Sequence, residues 1–341
     1  MILIAMQQRK IISLGSSLAI TLPRSWLKVN RLDKGDAVTY NLQNDQSLLL
    51  TAGQVKKRNS ELSLLVDEGQ NSEAIIRGII AGFLNGYTVI QLKSKTYFTP
   101  EQQKLIRTMT SRLYMMIVKA DSSNVTLQTL IDESNTPIIA SVERIYMITI
   151  AMCRDVLLCM KDSDLRLLEA TIALEADVDQ LKLLISRLIR VSVKDPATAT
   201  NQALDPLDCL DYQVLVNHIE RVAHHVSNIA SNLLLMGNSG NRISERILPV
   251  YLSAAEKAFN NYETAVRSFI SRDIKSINKV IDDEYRIMVM FEGVTPLPEH
   301  LYDEEKDTIV NLIQIRESVN KISHYAAAIA EITIDQTYKT P

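Results

Sequence analysis

Basic side chains are concentrated near the start of the chain. Residues 1–58 contain nine Lys or Arg against three Asp, a net charge of +6, whereas the whole chain has a formal net charge of −3. The remaining residues therefore carry −9. A positively charged segment attached to an acidic body is the charge distribution expected for contact with the phosphate backbone of DNA. The alternative is that these side chains dock against the chain's own acidic helices or against a partner protein.

Residue patterns typical of catalysis are missing from the sequence. It has no Ser/His/Asp order, H-E-x-x-H, P-loop or G-x-G-x-x-G motif. Its carboxylates follow amphipathic helical spacing, for which solvated charge is the ordinary explanation. We therefore do not predict an enzyme.

The elements that must position the basic side chains are short strands and turns. Residues 11–22 alternate apolar with small or hydroxylated side chains, Gly15 supplies a turn, and Pro23 ends the second strand because it lacks an N–H. Two further strands are predicted at 38–42 and 48–50. About forty residues without a disulfide or metal rarely hold a core alone, so we predict that this segment folds as an intertwined dimer.

This strand-rich segment resembles the SpoVT/AbrB swapped-hairpin domain. The resemblance rests on the residues from Lys10 to Arg24, which read K-x-x-x-L-G-x-S-x-x-I-T-L-P-R, and on the G-D-A-V turn and final L-L-L strand that follow. It covers roughly residues 6–52 and implies two chains with interleaved hairpins that present basic side chains to DNA. Ser16 stands where some members carry another basic residue. The predicted DNA-contacting residues are Arg9, Lys10, Ser16, Arg24, Lys28 and Arg31.

An α/β connector is predicted over residues 58–135. Apolar runs separated by capping residues alternate between strand and helix patterns. The four-residue spacing of Gly78, Gly82 and Gly86 indicates close helix packing. The predicted order is βαβαβ, with strands at 62–66, 87–92 and 125–130 and helices at 71–85 and 99–113.

The rest of the chain is predicted to be helical. Seven of the ten glycines lie before residue 90, so the later part nearly lacks the residues that turns need. Cys153, Cys159 and Cys209 have no metal-ligand spacing and are expected to be buried small hydrophobes. The predicted helices are 140–161, 165–191 and 207–236 in the first half, and 248–271, 274–291 and 302–334 in the second.

The third helix of each half carries an internal repeat. Residues 219–230, IERVAHHVSNIA, match residues 319–330, VNKISHYAAAIA, with apolar and small residues at equivalent positions. Both segments resemble the signature of the PhoU family, approximately L-E-R-I-G-D-H/Y-A-x-x-I-A. The acidic pattern of the family's second helix is partly present at 175–181 and 278–285. The resemblance covers about residues 139–336 and implies a role in phosphate uptake and phosphate signalling.

The resemblance also implies a metal site, because several PhoU-family members bind metal clusters through acidic residues four positions apart. That spacing places two ligands on one helix face. Glu220 is retained here, but His224 replaces the second acid, and Asn320 and His324 form the equivalent pair. A transition metal ion (Fe, Zn or Mn) is therefore expected mainly in the first repeat, with a solvated helix face as the alternative. The predicted ligands are Glu175, Asp179, Glu220 and His224, with Asp282 and His324 as a mirror site.

The predicted fold is multidomain. A small all-β swapped-hairpin domain (1–57) precedes the α/β connector (58–135) and an all-α pair of PhoU-like three-helix bundles (136–238 and 239–341). The sequence has no export signal, and its longest apolar runs fall short of the roughly 18 residues of a membrane span. Together with three unpaired cysteines, this indicates the cytoplasm.

Two main functions follow from the sequence. The first is a phosphate-responsive transcriptional regulator, a homodimer through its N-terminal domain that binds DNA while the helical repeats sense phosphate status, a metal or a partner. The alternative is a PhoU-like adaptor that contacts the ATPase subunit of a phosphate transporter and uses the N-terminal domain only to dimerise. A third interpretation is storage of metal or polyanion.

Overall fold

The computed structural model describes residues 8–42, 46–53, 60–67, 69–133, 135–195, 198–199, 202, 204–294 and 306–339. The chain divides into two compact units, Met1–Arg58 and Asn59–Pro341, which we term the hairpin unit and the main unit.

The hairpin unit consists of two antiparallel hairpins with a short helix between them in sequence. Strand β1 (Ile12–Leu14) pairs with β2 (Ser17–Ala19), and β3 (Val38–Leu42) pairs with β4 (Leu48–Ala52). Helix α1 (Arg24–Asn30) follows Pro23. The four predicted short strands are therefore present, together with the predicted helical turn.

A glycine makes the first hairpin turn possible. Leu14 pairs directly with Ser17, so only Gly15 and Ser16 form the turn. Gly15 has a φ of 63°, in the left-handed region that most side chains avoid. The tight turn therefore follows from the residue type at this position.

The main unit begins with an α/β layer. Its four-stranded sheet has the order β5-β6-β8-β7; β5 and β6 are parallel, and the remaining pairs are antiparallel. Helix α2 packs on β5 and β6, and α3 packs on β7. The elements are β5 (Glu61–Val66), α2 (Ser72–Leu84), β6 (Val89–Ser94), α3 (Pro100–Arg112), β7 (Met115–Ala120) and β8 (Asn124–Thr129).

Strand β7 corrects the predicted βαβαβ order. The chain turns directly out of α3 at Tyr114, whose φ is 51°, and forms a hairpin of β7 and β8. Asp121 builds the hairpin turn by accepting hydrogen bonds from the N–H groups of Ser123 (2.9 Å) and Asn124 (2.8 Å). The β7 segment alternates little between apolar and polar residues, so its pattern did not distinguish a strand from the end of a helix.

Helix α2 lies close to the sheet through two of its glycines. A Cβ atom at Gly78 would lie 3.2 Å from Leu64 Cδ1, and one at Gly82 would lie 2.7 Å from Leu62 Cδ2 and 2.8 Å from Ile90 Cδ1. The predicted role of this glycine spacing in helix packing is therefore confirmed for Gly78 and Gly82.

Two three-helix bundles complete the main unit. In both halves the helices follow the predicted ranges closely, with one exception. The predicted helix 165–191 is interrupted at Leu174. The Leu174 N–H bonds Thr171 O at 3.2 Å, three residues back, so the helix tightens there into a 3₁₀-type turn. The helices are α4 (Ile138–Asp162), α5 (Leu165–Ala173), α6 (Glu175–Lys194), α7 (Pro206–Asn238), α8 (Leu248–Ser271), α9 (Ile277–Met290) and α10 (Lys306–Thr337). Residues 302–305, predicted as the start of the last helix, lie outside the described residues.

Side-chain caps explain several helix starts. Asp205 and Asp208 form a reciprocal capping box around Pro206 at the start of α7. Asp164 accepts hydrogen bonds from the N–H groups of Arg166 and Leu167 at the start of α5. These caps satisfy backbone donors that a helix leaves without partners at its first turn.

The two bundles share a core because their third helices, α7 and α10, pack against each other. Ile219, Val222 and Val226 of α7 are fully buried, as are Val319, Ile322 and Ala326 of α10. These residues come from the repeated sequence segments, so the internal repeat forms the interface between the bundles. The fold class predicted from the sequence is confirmed: a small N-terminal β unit, an α/β layer and a pair of helical bundles.

Arg187 of α6 joins the α/β layer to the first bundle. Its side chain is fully buried, pairs with Glu133, and donates to the carbonyl oxygens of Phe83 and Tyr87, the latter at 3.0 Å. Its guanidinium also lies 4.9 Å from the ring centroid of Phe83. A buried charge needs such partners, so Arg187 fixes the layer on the bundle.

Candidate functional sites

The predicted DNA-contacting side chains are all exposed on the hairpin unit. Arg9 and Lys10 precede β1, and Ser16 lies in the first hairpin turn. Arg24, Lys28 and Arg31 are spaced i, i+4 and i+7 along α1 and its C-terminal cap, a spacing that places side chains on one face of a helix. We call these three residues the basic stripe. Lys56, Lys57 and Arg58, which add to the charge of this segment, lie outside the described residues.

Apolar side chains of the hairpin unit are exposed as well. None of its described residues is buried, and Leu14 and Leu18 are 70% and 76% exposed. The same holds for the second hairpin, where Tyr40, Leu42 and Leu48 are each at least 60% exposed. Exposed apolar residues at this density are unusual on a free surface and are typical of interaction sites.

The acidic and histidine residues predicted in the first repeat lie together across α6 and α7. His224 Nδ1 lies 2.8 Å from Glu175 Oε1. Burial, together with the negative charges of Glu220 and Glu175, raises the pKa of Asp179. The four predicted residues therefore form one electrostatically coupled group.

The mirror residues of the second repeat are arranged differently from the prediction. His324 Nδ1 lies 2.9 Å from Glu284 Oε1, while Asp282 is exposed two positions earlier on α9. Glu284 thus takes the place that the sequence pattern gave to Asp282. The reason is helical phase, since residues two apart point to different sides of a helix.

The described residues do not fit a resident metal ion. Among them, no group of three or more His, Cys, Asp and Glu side chains could hold one. Cations also stand beside the retained acid, with Lys182 Nζ 3.9 Å and Arg221 Nε 3.7 Å from Glu220 Oε2. Positive charge at these distances opposes metal binding, so the metal site stays a prediction from the family resemblance that this arrangement does not support.

A cluster of aromatic and imidazole rings lies between α7 and α10, around Tyr325. The ring of His225 stacks on Tyr325 with centroids 5.9 Å apart and planes at 27°, and His218 lies 5.5 Å from the same ring. Burial above all, and then the positive charges of His224, Lys321 and Arg221, lowers the pKa of His225 to about 4. The sequence analysis missed this cluster. In the alignment of the two repeats, His225 and Tyr325 occupy equivalent positions, and this equivalence could have indicated the contact.

The three cysteines are buried and free, as predicted. Burial raises the pKa of Cys159 and of Cys209 to about 11 and also raises that of Cys153. The thiols are therefore protonated at neutral pH and poor nucleophiles. In the part of the chain that the structure describes, no helix has the length and apolar character needed to cross a membrane.

Comparisons with known proteins match two parts of the chain. Residues 142–233 match the PhoU domain, and residues 11–69 match the family described as antidote-toxin recognition MazE, bacterial antitoxin. A comparison with curated proteins found no match. Among solved structures, the phosphate transport system regulatory protein PhoU from Streptococcus pneumoniae matches with 15% sequence identity and a TM-score of 0.40, covering 58% of this chain and 91% of that chain. The chain therefore carries a PhoU domain, preceded by an N-terminal domain of the MazE and AbrB type.

Proposed function

We propose that this protein is a dimeric, phosphate-responsive regulator of phosphate uptake that binds DNA through paired hairpin units. The observation that carries the proposal is the surface of the hairpin unit, where exposed apolar strand residues accompany the exposed basic stripe. The PhoU domain supports a link to phosphate regulation.

The lack of buried residues in the described part of the hairpin unit supports dimerisation. The hairpin unit has no buried residue among those described, and its strands are only three to five residues long. Isolated two-stranded hairpins are at best marginally stable in water. A second copy that covers Leu14, Leu18 and Leu48 supplies the apolar burial that one copy lacks.

DNA contact follows from charge and its placement. From Arg24 to Arg31 the basic stripe spans seven residue steps, about 10 Å at 1.5 Å per residue. Its side chains are exposed, and two units together present twice as many basic side chains to the phosphates. For regulation, the helical repeats must favour one arrangement of the two hairpin units when their ligand or partner is bound.

Salt-dependent DNA binding tests this function. The full chain is used to select sequences from a pool of random DNA duplexes, and binding of the enriched duplex is then measured at increasing salt. We expect affinity to fall steeply with salt, and the Arg24→Ala/Lys28→Ala variant to bind more weakly with a slope lower by about one for each lost phosphate contact. Lys104→Ala/Lys119→Ala removes two exposed charges from the α/β layer and is the matched control.

Two results would contradict DNA binding. One is affinity that does not weaken as salt rises. The other is equal weakening in the control and in the Arg24→Ala/Lys28→Ala variant, since the basic stripe would then contribute nothing specific.

An adaptor role is the second candidate, favoured by the uncharged tip of the first hairpin. Ser16 offers only a hydroxyl at this exposed turn, where some members of the resembled family carry a basic residue. Direct contact with bases therefore has one basic side chain fewer here than in those members. In this role the protein would contact the ATPase subunit of a phosphate transporter, and the hairpin unit would serve dimerisation. Crosslinking of the protein to DNA in cells separates the two: enrichment near phosphate-uptake genes supports the regulator, and its absence supports the adaptor.

A further inference from the structure

A polar pocket of about 550 Å³ lies between α8 and α9 in the second bundle. It is separate from the Glu175–His224 and Glu284–His324 pairs, since none of those four residues lines it. Charged groups from both helices line it, with Lys257 on α8 and Lys279, Asp283 and Arg286 on α9.

Positive charge in this pocket is held in place by one buried carboxylate. Lys257 Nζ lies 3.0 Å and Arg286 Nη1 3.1 Å from the same oxygen, Asp283 Oδ1, and the Asp283 side chain is only 2% exposed. A lysine has three N–H donors and an arginine five, so both cations retain donors for another group. The carboxylate therefore orients the two cations without using up their donors.

The remaining charges of the pocket favour an anion. Lys279 is exposed and forms no ion pair with any described residue. Glu256, the other lining carboxylate, pairs with Lys161 at 3.3 Å. Three cations thus line a pocket in which one carboxylate is buried and the other is paired with a lysine outside it.

Asn261 adds a donor that lacks a partner. Asn261 is one of the lining residues and is 8% exposed, and its buried Nδ2 makes no hydrogen bond with the described residues. Leaving a buried donor without an acceptor is unfavourable, so a ligand that accepts from Nδ2 removes that penalty. The missing group is therefore a hydrogen-bond acceptor.

The start of α9 also borders the pocket. Ser276, which precedes the helix, lines the pocket and makes no capping hydrogen bond with its side chain. The first N–H groups of a helix lack partners within the helix and favour negative charge. This preference agrees with the lining cations and with the Asn261 donor.

We propose that the pocket binds a small tetrahedral oxyanion of the phosphate class. Lys257, Lys279 and Arg286 neutralise its charge, and Asn261 Nδ2 donates a hydrogen bond to one of its oxygens. The volume falls within the range of small-molecule sites, roughly 300–1,000 Å³, so the same chemistry fits free phosphate or the phosphate group of a larger ester. The proposal deepens the function proposed above by naming a ligand site in the helical repeats. It can fail independently of DNA binding, because its test involves neither DNA nor the hairpin unit.

Calorimetric titration of the full chain tests the pocket, with inorganic phosphate, AMP and adenosine as separate probes. We expect saturable binding of phosphate or AMP and none of adenosine. Binding of phosphate alone, or of both, identifies the free anion as sufficient; binding of AMP alone identifies an ester as the ligand. Lys279→Glu and Arg286→Gln should each weaken binding about tenfold, the loss of one charge-assisted contact.

Lys275→Glu is the matched control, because it makes the same charge change as Lys279→Glu at an exposed position outside the pocket. Both variants leave the Lys257–Asp283 pair intact, and thermal unfolding checks that they fold. Asn261→Leu, which removes the orphan donor, should bind more weakly while remaining folded. The proposal is overturned if neither phosphate nor AMP binds at millimolar concentration, if adenosine binds as well as AMP, or if Lys275→Glu weakens binding as much as Lys279→Glu.

Discussion

Among single residues, His225 combines a half-buried ring with a missing hydrogen bond. Its Nδ1 has no partner among the described residues, and its ring stacks on Tyr325 between the two third helices. The folded protein therefore favours the neutral form of the His225 imidazole, and we expect a phenylalanine ring to be accommodated in its place. This makes the stability of the interface between the bundles depend on pH.

The sign of this dependence follows from the pKa of His225. It is lowered from 6.5 to about 4, so between these values the unfolded chain binds a proton that the folded chain does not. The free energy of unfolding should therefore fall as pH decreases from about 6.5 to about 4. His225→Phe should reduce this fall and raise stability at neutral pH by about 1 kcal/mol, since it removes an unpartnered nitrogen. Denaturant unfolding at a series of pH values measures both effects.

His224→Gln provides the comparison for that experiment. It removes an exposed imidazole one position earlier and leaves the ring of His225 on Tyr325. Because burial is the larger cause of the lowered pKa of His225 and the charge of His224 a smaller one, most of the fall in stability should remain in this variant. An unchanged pH slope in His225→Phe would contradict the assignment.

At the scale of elements, the distance between α2 and the sheet is set by glycines. Gly82 faces two apolar side chains from different strands, Leu62 and Ile90, while Gly78 faces only Leu64. Interiors are packed closely enough that one added methyl group is felt. The two glycines therefore differ in how much a side chain at each position would disturb the layer.

Gly82→Ala should lower the free energy of unfolding by about 1–3 kcal/mol, the usual cost of overpacking. Its Cβ would stand 2.7 Å from Leu62 Cδ2 and 2.8 Å from Ile90 Cδ1, so two side chains must move. Gly78→Ala is the matched control. Its single 3.2 Å contact is opposed by a gain in helix propensity of up to about 1 kcal/mol. If thermal unfolding shows that Gly78→Ala is no more stable than Gly82→Ala, this explanation is wrong.

At the scale of the whole molecule, the two units differ in how they are stabilised. The main unit buries apolar residues in its bundles and in its α/β layer, whereas no described residue of the hairpin unit is buried. We therefore expect the hairpin unit to depend on a partner surface for its stability. A second copy of the same unit offers a complementary set of exposed strands.

The full chain should have the mass of two chains in solution, and Leu18→Glu should shift it to the mass of one. Leu18 is 76% exposed within a single chain, so a charge there is costly only if another chain covers it. Leu210→Glu, at a 60% exposed position of α7, should leave the mass unchanged. Light scattering during size-exclusion chromatography gives the masses. A Leu18→Glu variant with the mass of the unchanged chain would exclude the first hairpin from the interface.

Much of the fold could be predicted because local signals determine it. Gly15 and Pro23 marked the first hairpin, and apolar periodicity marked long helices such as α7 and α8. Strand β7 was missed because its residues alternate weakly, and the interruption at Leu174 was missed because a single 3₁₀ turn leaves helical periodicity intact. The family resemblance grouped Glu175, Asp179, Glu220 and His224 as predicted metal ligands, but it did not identify Glu284 as the partner of His324.

Sequence patterns were enough to predict the strand-rich start, the α/β layer, the duplicated helical bundles and the concentration of positive charge in the hairpin unit. These properties depend on neighbouring residues and on composition, which a single chain contains in full. Three arrangements were visible only in the folded chain: Glu284 meets His324, His225 stacks on Tyr325, and Asn261 lines the same pocket as Lys257 and Arg286. Such contacts depend on the rotation and spacing of helices that are distant in sequence, and no local pattern specifies them.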